Sequence, residues 1–294
     1  MSQIIEDFIL QFPKAWQFRV DESVDEAVKA FARNYQFALG KIKEGVNAVI
    51  FFIQHVLEFI PWIVLVLLVV GLAWYLTKKL RLGILYGAML TFIGCCGLWP
   101  QMLQTLSVVI AGVVLCMAIG FPLGVLLAMS KRANRILRPV LDTMQTMPSW
   151  VYLVPAVLLF RTGNTPALLA TTIYAVVPMV RMTSHGLLYV DAEMLEAARA
   201  FGSTKFQMLL KVQIPQAKPT IMTGVNQTIM MAMSMVVTCA LIGAEGLGME
   251  ILLATNRVQV GKALFPGIAI VIIAVILDRL TQAAIKRSEV SVDG

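Results

Sequence analysis

Apolar residues run unbroken through most of this chain, and only near its start do they thin to a helical stripe. Seven runs approach the ~20 residues that a membrane-crossing helix requires. They cover 59–76, 82–99, about 102–129, about 141–160, about 165–188, about 221–242 and about 265–284, and each predicts a span. The earlier segment reads differently. Val24, Val28, Phe31, Tyr35, Ala38, Ile42 and Val46 fall at helical spacing, with Glu, Asp, Lys and Arg on the other face. That pattern predicts an amphipathic helix lying along a membrane surface. A span within 45–58 is the alternative, opposed by Gln54, His55 and Glu58. The expected fold class is therefore all-α: a polytopic membrane protein with about seven transmembrane helices plus an N-terminal amphipathic helix. Its divisions are an interfacial region at 1–58, a membrane domain at 59–288 and a tail at 289–294.

Composition sharpens this picture. The chain is 59% hydrophobic and 14% charged, against about 25% charged in soluble domains. Its net charge of +7 would suggest nucleic acid in a soluble protein. Here the basic residues sit in alternate loops: Lys78, Lys79 and Arg81; Lys131, Arg132, Arg135 and Arg138; Arg199, Lys205, Lys211 and Lys218; Lys286 and Arg287. The positive-inside rule makes those loops cytoplasmic. The C-terminus is then inside and, with an odd number of spans, the N-terminus outside. Residues 1–20 carry Glu6, Asp7, Pro13 and Lys14 and no long apolar core, so no cleavable leader is expected. Cys95, Cys96, Cys116 and Cys239 lie in apolar runs and form no disulfide framework; His55 and His185 are too few and too scattered for a metal site.

One cytoplasmic loop, about 189–220, is unlike the others. Its core, EAARAFGSTKFQMLLKVQIPQAKP, is polar and basic. Glu196 to Ala200 favour helix, Gly202 breaks it, Ser203 or Thr204 can cap a second helix, and Pro215 and Pro219 should end that one. The expectation is two short helices with a glycine bend. Phe201, Phe206, Leu209, Leu210 and Val212 give them apolar faces. A solvated loop is the plain reading, but an exposed apolar stripe calls for a partner.

Glu196, Ala197, Ala198, Gly202, Ile214 and Pro215 resemble the EAA loop of permease subunits of bacterial ATP-binding cassette importers. The segments TMQTMPSWVYLVPAVLLF (143–160), IYAVVPMVR (173–181) and IGAEGLGMEI (242–251) are similar to the branch that imports glycine betaine, proline betaine and choline. The resemblance implies a type I importer-like fold. It implies that the loop is a coupling helix seated in a separate ATPase subunit, whose movements rock the spans between inward- and outward-facing states. It also implies two ATPase copies, an extracytoplasmic substrate-binding protein, a second copy of this chain, and residence in the bacterial inner membrane. ATP and Mg would belong to the partner ATPase; no cofactor is expected in this chain.

Other features carry less. There is no P-loop, and GAEGLG (243–248) lacks the dinucleotide spacing. Gly243, Glu245, Gly246 and Gly248 instead suggest a tight turn shaping an outer gate. Pro122, Pro148, Pro155 and Pro178 lie inside spans, where they permit kinks. Pro148 with Trp150 and Tyr152 is the candidate pathway element, since a quaternary ammonium binds over aromatic faces; membrane-belt or core packing is the plain reading of both aromatics. Arg181 and His185 are read as anchors, Asp278–Arg279 as paired with neighbours, and the methionines of 230–235 as bundle packing. Two rivals stand beside the importer. A gradient-driven transporter would want acidic residues in mid-span, which spans two to six lack. A membrane scaffold would explain the loop but not the prolines.

Overall fold

The computed structural model describes residues 21–290 and contains no strand among them. The readings of residues 1–20 and of all but the first two residues of the tail at 289–294 lie outside the described residues. Two helices open the described chain: α1 (Asp21–Asn34) and α2 (Gln36–Phe59). Then come α3 (Trp62–Thr77), α4 (Leu80–Cys95), α5 (Trp99–Met129), α6 (Lys131–Thr146), α7 (Trp150–Phe160) and α8 (Asn164–Leu188). The chain finishes with α9 (Ala192–Ala200), α10 (Lys205–Met208), a π-helical segment (Leu209–Gln213), α11 (Ile214–Ala240), α12 (Leu247–Asn256) and α13 (Val260–Val290).

All seven predicted apolar runs are helical, but not as seven equal spans. Four stretches are each long and apolar enough to cross a membrane: α5, α8, the helix from Lys205 to Ala240, and α13. The pair α2–α3 qualifies only together and is bent by 94°. Pro61, the residue before α3, marks the bend. Helices α4 and α7 are shorter apolar helices.

Three expectations change. The predicted span at 141–160 is two helices broken at Met147–Ser149, and its first part belongs to α6. That helix is amphipathic, with Leu141 its buried residue; Pro148 removes a helical N–H at the break. The predicted surface helix at 24–46 is two helices rather than one. The second is not free, because its Ile50 is 2% exposed and packs with Ala111 of α5 and Leu168 of α8. Finally, residues 247–256, left outside any span, form α12.

Helix α8 is the centre, with its most extensive contacts to α5 and α11. Small residues let the backbones close in. A Cβ on Gly120 would lie 2.8 Å from Met179 Cγ, and one on Gly124 would lie 2.5 Å from Thr183 Cβ, both on α8. These glycines form a G-x-x-x-G pair around Pro122. On the other flank, a Cβ on Gly224 of α11 would meet Met182 Cβ at 2.7 Å. Exteriors are apolar: Leu67, Leu68, Ile84, Val271 and others are exposed, as a lipid-facing surface requires.

Candidate coupling loop and glycine turn

The loop after α8 is built by local hydrogen bonding. The Asp191 side chain caps α9 by accepting from Glu193 N at 2.9 Å. At the other end Gly202 has φ 76, a left-handed conformation glycine adopts without a Cβ penalty. Gly202 N donates to Arg199 O at 2.9 Å and Ser203 N to Ala198 O at 3.0 Å, the paired bonds of a Schellman cap. Two residues later Thr204 and Gln207 form a reciprocal capping box that starts α10. The bend expected at Gly202 is thus a stop and a start joined tightly.

The predicted second stop is absent. Pro215 and Pro219 do not end the helix, which continues from Lys205 to Ala240 as one 36-residue helix. The π segment explains this: Ile214 N reaches back to Leu209 O, and the widened turn accommodates the proline that follows.

The six expected coupling residues divide by exposure. Glu196, Ala197, Gly202 and Pro215 are exposed, while Ala198 is intermediate. Ile214 is partly buried and packs on a cluster of Met179, Leu187, Leu209, Ala217, Ile221 and Val225. The loop therefore has a rooted face and an open one. The open face carries Phe201, 91% exposed, and Phe206, 66% exposed, with Met194 and Leu210 also open. No residue of α9 is buried.

The second candidate set does not gather into one site. Tyr152 is buried with Met235, Cys239 and Ala244. Its hydroxyl donates to Met144 O at 2.6 Å, tying α7 back to α6 across the break. Trp150 is exposed and lines an open apolar groove with Val154, Leu158 and Ile242. The two aromatics thus part company, and no cage for a quaternary ammonium is formed by Trp150 and Tyr152 together.

The glycine turn is tight, as its composition suggested. Gly243 has φ 84 and Gly246 φ 106. A Cβ on Gly246 would lie 2.4 Å from Thr105 Oγ1, and one on Gly248 would lie 2.3 Å from Val236 O. The turn bonds to two other elements. Leu247 N donates to Thr105 Oγ1 at 2.9 Å, and Glu245 N to Asn164 Oδ1 at 2.9 Å. Gly163 N donates to Ile242 O at 2.9 Å. The Glu245 side chain is exposed.

Sequence reasoning missed one ion pair and expected another residue, Asp278, to be paired without naming its partner across the bundle. Arg181 of α8 pairs with Asp142 of α6, beside His185 stacked on Tyr189 at 4.3 Å. Asp278 of α13 accepts from Asn226 Nδ2 of α11 at 2.8 Å and from Gln282 Nε2 at 2.8 Å. The helical spacing of Asp278 and Gln282 was visible in the sequence, whereas the bond to Asn226 had no local signal. Among the described residues no cluster of His, Cys, Asp and Glu is suited to a metal.

Residues 120–290 match the family of binding-protein-dependent transport system inner membrane components. The chain is 42% identical over 264 residues to the glycine betaine/proline betaine transport system permease protein ProW of Escherichia coli K12, covering 90% of this chain and 73% of that one. It is 46% identical over 231 residues to the glycine betaine/carnitine transport permease protein GbuB of Listeria monocytogenes, covering 78% of this chain and 82% of the relative. With the glycine betaine transport system permease protein OpuAB of Bacillus subtilis it shares 44% over 242 residues, covering 82% and 85%. The inward-facing MetNI methionine ABC transporter has a chain of the same fold: TM-score 0.59 and 20% identity, covering 63% of this chain and 93% of that one. With residues 120–290, more than half of its length, matching that family, this chain belongs to the inner membrane components of binding-protein-dependent transport systems.

Proposed function

We propose that this chain is the membrane-spanning permease subunit of an ATP-driven importer for a small quaternary amine, of the glycine betaine, proline betaine or choline kind. The observation that carries the mechanism is the loop at 189–220. It presents Phe201 and Phe206 on an open face and is continuous with α11 on its rooted one. A separate ATPase subunit, holding ATP and Mg, seats over that open face. Its closure displaces α9 and α10 and moves α11 relative to α8. Glu196 and Arg199 flank the apolar contact and set its orientation. The chain makes and breaks no bonds in the substrate.

The assembly has two copies of this chain, two ATPase subunits and an extracytoplasmic binding protein. The pathway lies between the copies, so that exposed Trp150 meets its counterpart's surroundings rather than Tyr152. The glycine turn, clamped to Thr105 and Asn164, forms the outer end of that pathway. The basic loops face the cytoplasm with the C-terminus, and the N-terminus lies outside. Substrate class is supported by the names of the relatives.

The test is purification of the tagged chain from its native membrane in mild detergent, with and without Glu196→Arg. The expected result is an ATPase subunit that co-purifies with the parent and is lost in the variant. One observation favours the gradient-driven rival: Asp278 lies inside α13 with a side chain 20% exposed. Uptake that persists without the ATPase and collapses with the ion gradient would establish that rival.

A further inference from the structure

Lys78 and Lys79, at the end of α3, and Arg279, Lys286 and Arg287, from the last turns of α13, line one cavity of about 540 Å³. Among the described residues no carboxylate lines it. Among the described residues the acidic group paired with any of the five is Asp278, 4.0 Å from Arg279 Nε, and it already accepts from Asn226 and Gln282. Basic residues at helix ends ordinarily spread into water. These converge, and convergence of like charge raises the local positive potential. Two of them are also held in place. The Arg287 guanidinium lies 3.9 Å from the Tyr75 ring centroid, and its Nη1 donates to Tyr75 O at 3.1 Å. Lys78 has φ 58 and its ammonium lies 5.7 Å from the same ring.

The cavity is distinct from the coupling loop but lies at the same end of the helices. Helix α11 runs away from the loop and α13 returns, and the Asn226–Asp278 bond joins them part-way. Residues 279–287 therefore extend back toward the loop. Leu82 and the buried Tyr86 of α4 form the apolar side of the cavity. Outside it, Leu72, Leu80 and Ile84 present exposed apolar surface on α3 and α4.

A fixed cationic recess with an apolar side, opening beside a lipid-facing surface, matches a phosphate that carries acyl chains. We propose that this cavity binds the phosphodiester headgroup of an anionic phospholipid, with the acyl chains lying along α3 and α4. A free inorganic phosphate would share the cationic contacts and make no use of the apolar surface.

The test is native mass spectrometry of the full chain in its detergent-purified complex, titrated with phosphatidylglycerol or with phosphatidylcholine of matched chains. One tightly retained phosphatidylglycerol per chain is expected, with phosphatidylcholine bound at least about tenfold more weakly. The variant Lys79→Gln/Arg279→Gln/Lys286→Gln should lose about tenfold or more in phosphatidylglycerol affinity. Single Lys79→Gln and Lys286→Gln, at exposed positions, should each show a smaller loss, so the proposal stays testable if the triple variant does not fold. Arg135→Gln on α6, outside the cavity, should leave binding unchanged. Equal binding of the two lipids, or unchanged affinity in the folded variants, overturns the proposal. Labelled inorganic phosphate that binds the delipidated complex as tightly as phosphatidylglycerol, with the same variant sensitivity, overturns the lipid assignment.

Discussion

Lys43 of α2 donates its ammonium to the carbonyl oxygen of Phe160, the last residue of α7, at 3.1 Å. One turn further along α2, Asn47 Oδ1 accepts from Thr165 Oγ1 at 2.6 Å. The N-terminal helix thereby holds both sides of the α7–α8 corner, and that corner in turn bonds the glycine turn through Gly163 and Asn164. A cation at a helix C-terminus satisfies an otherwise orphaned carbonyl and complements the helix dipole. Lys43→Met keeps the aliphatic stem and removes the donor. It should cost about 1–3 kcal/mol, read as a lowered unfolding midpoint in detergent, while Lys43→Arg restores most of it. An unchanged midpoint in Lys43→Met would show that the corner stands without α2.

Glycine substitutions should separate the two loops. Gly246→Ala drives a Cβ into Thr105 Oγ1 at 2.4 Å in a φ 106 backbone, so it should destabilise by about 2–4 kcal/mol and reduce the yield of folded protein. Gly202→Ala meets nothing within 4 Å. Only the left-handed backbone resists it, at about 1–2 kcal/mol, and the chain should fold. Thermal unfolding of the two variants side by side decides the matter.

Phe201→Ala and Phe206→Ala remove exposed side chains, so their stabilities should stay within about 0.5 kcal/mol of the parent. Binding of the ATPase partner should nonetheless weaken by about tenfold or more, as expected when aromatic anchors leave an interface. Co-purification yield against thermal stability is the pair of readouts. Loss of stability with binding retained would assign these phenylalanines to the fold.

Tyr152→Phe deletes the hydroxyl bond to Met144 O and leaves that carbonyl at the helix break unbonded by it, at a cost of about 1 kcal/mol. Trp150→Ala should leave stability nearly untouched, because the indole is exposed, and should alter uptake if Trp150 faces the pathway. Uptake assays in vesicles, normalised to folded protein, distinguish the two effects.

The apolar runs were legible because lipid demands unbroken hydrophobic helices, and α5, α8 and α13 fall where those runs predicted. The loop was legible through Gly202, whose left-handed backbone is a local requirement, and through Thr204, whose side chain caps locally. Pro215 and Pro219 misled because a proline stops a helix only when the missing N–H and the ring cannot be absorbed. Here a π turn ending at Gln213 absorbs the first, a medium-range adjustment with no sequence signature. The span at 141–160 was drawn too long: Leu141, Met144 and Met147 carried it backward from the apolar run at 150–160, across the polar Asp142, Thr143, Gln145 and Thr146 that mark a surface helix. Contacts such as Arg181–Asp142 and Lys43–Phe160 join residues far apart in sequence, and nothing in either residue's own neighbourhood specifies its partner.

The helix from Lys205 to Ala240 is about 54 Å long at 1.5 Å per residue. Within it, the widened turn at Leu209–Gln213 and the interior Pro219 are the points where it can flex. A tilt imposed near Phe206 must reappear, with opposite sense about whatever fulcrum α8 provides, beside the residues that lead into Gly243. In the proposed mechanism the two ends of this protein are geared mechanically rather than signalled between, and the π turn and Pro219 are where the gear ratio would be set.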